Sequence, residues 1–362
     1  MKDYLKEYDV TLTVKGLLFI GSGKEISKKE YICQGDYIYL IAMERLYQEM
    51  KKRHLQREYE KFMMQSNDPL EKWLKDFHIL KKDIVPLCKY AVAVGDSFQN
   101  TKGKKRQVMD FVKDGLGNPY IPGSSIKGML RTIFLANEIE KNSNRYENDK
   151  YKMINNIKIE KDRKKLLREN AKQLETQSFH LLKREGTNIN DAVNDILSGI
   201  IIGDSDPIAI EDFVMSSKVD MNVERKKRII PIIRECVRPG TKIHFKLTID
   251  SQICPYDKDD IEKMINQFSD SVYKNFLVKF GSKKPRENRV WLGGGCGYVS
   301  KTVIYNLFQG REGVEIVSNI MQKITPHNHR NDRKYEVSPH ILKCGGYGGK
   351  FYQYGLCEWK FE

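Results

Sequence analysis

No apolar run in this 362-residue chain approaches the ~20 residues that span a bilayer. The longest, Gly16 to Ile20 and Ile196 to Ile202, are far shorter, so no transmembrane helix is expected. The first residues, Met1, Lys2, Asp3, Tyr4, Leu5, Lys6 and Glu7, place charges where a secretory signal carries its apolar stretch, which points to the cytoplasm. A C-x-x-C pair is also missing. The seven cysteines, at 33, 88, 236, 254, 296, 344 and 357, are scattered and odd in number, and they read as reduced, mostly buried thiols. Acidic charge is in short supply: 48 Asp and Glu face 63 Lys and Arg, a net +15 that attracts polyanions, with nucleic acid the leading partner. With 40% apolar and 31% charged residues, the chain has the material for a hydrophobic core and is not a disordered basic tail.

The length suits two domains, placed here at 1–220 and 221–362. Val10, Leu12 and Val14 alternate with Thr11, Thr13 and Lys15, the period-2 pattern of a half-buried strand, which is expected to end in the glycine turn Gly21-Ser22-Gly23. A helical insertion is predicted over about 42–80, with one helix from Ala42 to Met64, and a second insertion over about 141–195. Asp114 to Pro119 reads as a hairpin turn, and Phe213 to Val219 as a strand. Glu224-Arg225-Lys226-Lys227-Arg228 is expected to connect the domains. A second alternating strand (Ile243, Phe245, Leu247, Ile249) follows, then a helix from Asp257 to Phe280, a basic loop, a glycine cluster and a final strand, Leu356 to Phe361. The shared order of the halves is a weak repeat of βαββαβ type.

The string FIGSGK, Phe19 to Lys24, falls short of a nucleotide-binding P-loop, because Leu18 stands at the first glycine position and Glu25 where the magnesium hydroxyl belongs. Nucleotide hydrolysis is not expected. Gly21, Ser22, Gly23 and Lys24 read either as an ordinary strand-ending turn or as a phosphate contact. Gly293, Gly294, Gly295 and Gly297 surround Cys296, and so many glycines imply that something approaches the backbone closely. An RNA phosphate fits, with Ser300 and Lys301 adding a hydroxyl and a charge. Gly345-Gly346-Tyr347-Gly348-Gly349-Lys350 reads as a second such loop, whose tyrosine can stack on a base, or as a flexible terminal loop.

Residues Gly123, Ser124, Ser125, Lys127 and Arg131 open a predicted helix with Ser124 or Ser125 as N-cap and Ile126, Met129, Leu130, Ile133 and Phe134 inward. Lys127 opposes the helix dipole in the first turn, and a bound phosphate would reverse that penalty. Lys127→Glu is therefore expected to preserve folding and weaken RNA binding. Two basic loops, with Lys102, Lys104, Lys105 and Arg106, and with Lys283, Lys284 and Arg286, complete the candidate RNA contacts. His327-Asn328-His329 reads as a polar loop, for want of carboxylate or thiol ligands at metal spacing, and no metal or cofactor is expected.

Taken together, YIPGSSIKGMLR (Tyr120 to Arg131), the early FIGSGK and the late WLGGGCGYVSKT loop resemble the repeat-associated mysterious protein (RAMP) superfamily of CRISPR systems. Their order and spacing look most like the subunit of subtype III-A Csm effector complexes that binds the 3′ portion of the CRISPR RNA. The resemblance covers about 8–23, 115–139, 201–206 and the second half. It implies an α+β fold of tandem ferredoxin-like (RRM-like, βαββαβ) domains with helical insertions and glycine-rich loops. It implies a non-catalytic subunit that cradles CRISPR RNA in antiviral defence. The implied partners are CRISPR RNA, target single-stranded RNA, the Csm backbone and small subunits, and trimming nucleases. Backbone subunits that slice RNA carry an aspartate after the first strand, whereas no Asp occurs here between Val10 and Gly35. Cys296 also interrupts a loop that in the family alternates glycines with an aromatic. The alternative within the superfamily is a metal-independent CRISPR RNA-processing endoribonuclease, for which His54, His78 and His244 are the acid/base candidates.

Overall fold

The computed structural model describes residues 3–96, 107–325, 329 and 331–362. The first half contributes β1 (Leu5–Val14), β2 (Gly21–Ile26), β3 (Tyr31–Gln34), β4 (Tyr37–Ile41), β5 (Cys88–Val94) and β6 (Gln107–Phe111). Further on come β7 (Ile200–Ile202), β8 (Phe213–Asn222), β9 (Lys227–Val237), β10 (Lys242–Asp250), β11 (Arg289–Trp291), β12 (Ile341–Tyr347), β13 (Lys350–Gln353) and β14 (Leu356–Phe361). They form two sheets and, with the helices, a mixed α/β fold. One sheet has the order β11-β14-β1-β10-β7; the other runs β2-β6-β9-β8-β5-β4-β3, with β12 on β8 and β13 on β12.

Both alternating segments form strands for the reason their period suggests. In β10 exposure alternates strictly along Lys242–Leu247, so Ile243, Phe245 and Leu247 are buried, as is Ile249, while Lys242, His244 and Lys246 face out. The two segments do not head separate domains, however. They pair with each other, from Leu5 opposite Asp250 to Thr13 opposite Lys242. In chain order, β1, the Gly123–Lys141 helix, β7, β10, the Lys258–Asn275 helix and β11 give β-α-β-β-α-β, with β14 inserted between β11 and β1. Residue 220 lies inside β8, and each sheet takes strands from both sides of it. The 224–228 connector is the tip of the β8–β9 hairpin, where Asn222 N–H donates to the Lys226 carbonyl at 3.0 Å. A charged tip suits solvent as well as a linker does, which is why composition alone suggested a boundary.

The predicted 42–64 helix is two helices, Met43–Lys52 and Gln56–Gln65, broken where His54 adopts φ 58°. With the Leu70–Asp76 and Lys81–Ile84 helices they bury their own cluster, which includes Leu46, Met50, Tyr59, Phe62 and Trp73. The 141–195 region is likewise helical over Glu147–Ile159 and Arg168–Phe179. Gly21 to Gly23 are not a turn but the start of β2, with a bulge between Gly21 and Glu25, and Gly23 alone there has a left-handed φ of 83°. Gly345 to Lys350 form a hairpin joining β12 and β13, not a loose loop; its turn, Gly348-Gly349, has φ of 57° and 72°, the primed geometry that favours glycine. No helix among the described residues is long and apolar enough to cross a membrane.

The Gly123–Lys141 helix buries Ile126, Met129, Leu130, Ile133 and Phe134, as its spacing predicts. Its start sits hard against β7: a Cβ at Gly123 would collide with the Ile202 carbonyl oxygen and lie 2.8 Å from that of Gly203. Gly128, one turn on, meets nothing within 4 Å. Gly123→Ala should thus cost about 1–3 kcal/mol of unfolding free energy. Gly128→Ala should be neutral or add about 0.5–1 kcal/mol. Urea unfolding of the two variants checks this; equal midpoints would show that the helix start is not wedged against β7.

Candidate nucleic-acid interface

Three strands of the larger sheet carry cations onto one face. Ser216 of β8 lies opposite Arg234 of β9, Gly345 of β12 opposite Lys218, and Lys343 opposite Asp220. Directly opposed residues in antiparallel strands share a face, and Ser216, Lys218 and Asp220 alternate along β8 onto that same face. Lys343 Nζ donates to Asp220 Oδ1 at 2.9 Å, and Lys218 Nζ lies 3.7 Å from the same oxygen. Two lysines therefore meet one carboxylate, with Arg234 on the same face. The Lys218 ammonium is held below the usual lysine value, first by burial and then by the charge of Lys343, with Arg234 adding to it and Asp220 opposing.

Arg234 is the least satisfied of the three. Its guanidinium lies 5.4 Å from the Phe19 ring centroid and 5.1 Å from that of Tyr354. Its Nε and Nη1 are buried without a hydrogen-bond partner. Unpaired buried donors of a charged group carry a desolvation cost that an anion would remove. Nearby, Lys227 Nζ lies 3.8 Å from the centroid of the Phe351 ring, which is 44% exposed and offers a stacking surface.

The glycine cluster borders this face, and the close approach its composition implies comes from the chain itself. Gly293, Gly295 and Gly297 have φ of 82°, 88° and 95°. Gly294 N–H donates to the Phe19 carbonyl at 2.6 Å, and a Cβ at Gly293 would strike that oxygen. At Gly295 a Cβ would sit 2.6 Å from Arg234 Nη1, and at Gly297 it would sit 3.9 Å from Lys343 Cγ. The cluster thus folds down onto Phe19 and the cations. Cys296 points inward: burial pushes its thiol up to about 11, against the opposing charges of Lys301 and Arg234. Lys301 is exposed, whereas Ser300 is buried and donates to the Cys296 carbonyl at 3.3 Å.

The remaining expected contacts are dispersed. Ser22 Oγ donates to Asp110 Oδ2 at 3.0 Å, and Lys24 is exposed. Lys102, Lys104, Lys105 and Arg106 lie outside the described residues. Lys284 pairs with Asp270 at 3.1 Å, and Lys283 and Arg286 are exposed.

At the Gly123–Lys141 helix the N-cap is Pro122 rather than Ser124 or Ser125, and the Gly123 N–H is taken by Asp204 Oδ1 at 2.8 Å. A carboxylate of the chain already meets the helix dipole there. Lys127 bends back and donates to the Ile200 carbonyl at 2.8 Å; burial lowers its pKa. Arg131 is neutralised by Glu175 at 2.7 Å and Asp195 at 2.5 Å, with its guanidinium 5.0 Å from the Phe179 centroid. Both cations tie the helix to its neighbours. Lys218, Arg234 and Lys343 escaped the sequence reading because isolated cations within apolar strands resemble solvated edge residues; the one signal was Arg234 closing the run Ile229-Ile230-Pro231-Ile232-Ile233. The expectation that His329 lacks carboxylate neighbours is also corrected: Asp332 lies 3.1 Å from its Nδ1.

A family model described as the RAMP superfamily matches residues 11–300. The "CRISPR system Cms protein Csm5" of Mycobacterium tuberculosis (strain ATCC 25618 / H37Rv) is 28% identical over 384 residues, covering 99% of this chain and 98% of that protein. Its counterpart in Streptococcus thermophilus is 25% identical over 327 residues, covering 87% and 84%. A chain from a cryo-EM structure of a Csm-crRNA-target RNA ternary complex in a type III-A CRISPR-Cas system matches with a TM-score of 0.65 at 17% identity, over 98% of this chain and 100% of that one. The crystal structure of T.onnurineus Csm5 matches with a TM-score of 0.59 at 16% identity, over 96% and 99%. Both solved structures share the fold.

The Lys127 anchor reverses the expectation for its substitution. Lys127→Glu replaces a donor to the Ile200 carbonyl with a second acceptor, and should cost about 1–3 kcal/mol of stability. Chemical unfolding measures it, and a wild-type midpoint would show that the anchor contributes nothing.

Proposed function

Because the chain belongs to the RAMP superfamily, we propose that it is a non-catalytic CRISPR RNA-binding subunit of a type III-A Csm complex, acting at the 3′ end of the guide in antiviral defence. The observation that carries this reading is the face where Lys218 and Lys343 share one carboxylate and Arg234 stands unpaired beside the glycine cluster. Partly desolvated cations with spare donors suit phosphates, and phosphate contacts hold RNA without regard to sequence. Lys301, Lys24, Lys283 and Arg286, all exposed, are proposed as further contacts away from this face, together with residues 102–106.

The names of the relatives support assembly into a Csm complex with CRISPR RNA and target RNA; contacts with the Csm backbone and small subunits, and with trimming nucleases acting at the guide's end, belong to the same proposal. The β-α-β-β-α-β order of the five-stranded sheet supports a ferredoxin-like unit, with the larger sheet proposed as its tandem partner. Cytoplasmic residence follows from the same reading.

For the endoribonuclease alternative, the histidines lie apart from the basic face. His54 and His78 are exposed in turns of the first helical insertion, and His244 sits on the five-stranded sheet with its Nδ1 2.9 Å from Thr11 Oγ1. Lys218, Asp220, Arg234 and Lys343 include no imidazole to activate a 2′-hydroxyl. Cleavage of labelled repeat RNA by purified protein in EDTA would favour the alternative.

If each phosphate contact contributes about −0.7 to the slope of log affinity against log salt, the wild-type slope on single-stranded RNA should be at least about −2. Lys218→Gln combined with Lys343→Gln should make it shallower by about 1 and weaken binding similarly for unrelated RNA sequences. Fluorescence anisotropy across a salt series reads both effects. Identical slopes and affinities for the two proteins would remove this face from the RNA path.

A further inference from the structure

Away from the basic face, the segment between the Gly310–Ile324 helix and β12 gathers His329, Asp332 and His340. Their potential ligand atoms all lie within 4.8 Å of one another, the one such group among the described residues. Asp332 is fully buried, His329 is 7% exposed and the His340 side chain 14%. His329 Nδ1 stands 3.2 and 3.1 Å from the two Asp332 oxygens, and His340 Nδ1 contacts Oδ1. We propose that this cluster is a structural site for a divalent transition-metal ion, zinc being the natural occupant, held by two imidazoles and one carboxylate.

The donor set and its shape support this. Two imidazoles and a carboxylate suit zinc and its first-row neighbours better than magnesium or calcium, which prefer all-oxygen shells. Tetrahedral zinc with bonds of about 2.0 Å sets its ligand atoms about 3.3 Å apart, close to the His329–Asp332 separations.

A supporting shell is in place as well. Ser338 Oγ donates to Asp332 Oδ2 at 2.5 Å, Tyr335 stacks on His340 with centroids 5.5 Å apart, and Tyr305 Oη donates to the Ser338 carbonyl at 2.6 Å. Such partners fix the orientation of metal ligands. Three protein ligands leave the fourth position to water. The ion would cross-link the ends of a twelve-residue segment and hold the start of β12, the strand that carries Lys343 three residues beyond His340.

The test uses full-length protein, stripped with chelator and reconstituted with ZnCl2 or CoCl2. After desalting, wild type should retain about one zinc per chain by mass spectrometry, and its Co2+ form should show the visible d–d bands of a four-coordinate nitrogen and oxygen site. Zinc should raise its thermal midpoint by at least about 3 °C. His340→Ala, shown to be folded by circular dichroism, should lose the retained metal, the bands and the thermal shift. Should that variant not fold, competition of zinc for the Co2+ bands of wild type decides between the same two outcomes. Wild type that retains no metal and shows no bands, or a folded His340→Ala that keeps both, would reduce the cluster to a hydrogen-bonded carboxylate.

Discussion

The pairing of β1 with β10 is the constraint on which the rest is hung. Nine residue pairs join the start of the chain to a segment 229 to 245 residues later, and β14 closes on the other side of β1. The strand is buried on its inner face through Val10, Leu12 and Val14, so a slip of one residue would turn those side chains to solvent and register is strongly held. From its end the chain crosses to the larger sheet. Leu18 bridges Val237 and the Phe19 carbonyl receives Gly294, so the β1 register sets where the glycine cluster lies relative to Arg234.

That geometry gives the glycines a role within the chain itself. A side chain at 293 or 295 would push the loop off Phe19 or off the Arg234 guanidinium, and the cation would lose the aromatic walls that hold it. Two aromatic faces compensate part of the cost of burying a guanidinium but supply no hydrogen-bond acceptor. The loop and the rings orient the charge, and its Nε and Nη1 stay buried without a hydrogen-bond partner.

Much of the architecture was legible in the sequence because period and burial are local properties. The alternation in 9–15 and 243–249, the inward face of the 123–141 helix and the turn at 114–119 follow from neighbouring residues alone. The partners of those elements did not, because pairing across more than 200 residues leaves no local trace and a charged hairpin tip looks like a linker. The site divides the same way. The glycine cluster was visible as a place of close approach, and within the chain it is Phe19 and Arg234 that approach it. Lys127 and Arg131 looked free because a helix start gives no hint of Ile200, Glu175 or Asp195 far along the chain.

Two adjacent residues of β9 show how each face of the larger sheet holds a charge. Successive side chains in a strand point to opposite sides, so Arg234 and Glu235 sample the two faces of one sheet at the same position. Glu235 is fully buried, and its carboxylate receives Lys113 Nζ at 2.6 Å and the Phe111 N–H at 3.1 Å. Burial raises its pKa while those donors pull the other way. Both donors reach the same oxygen, Oε2, while Oε1 is buried without a hydrogen-bond partner. On the opposite face two buried guanidinium nitrogens of Arg234 are left unpaired between the Phe19 and Tyr354 rings, and Asp220 of that face is taken by Lys343. Each of the two charges thus keeps unpaired buried atoms, two nitrogens on Arg234 and one oxygen on Glu235, on opposite faces of the same strand.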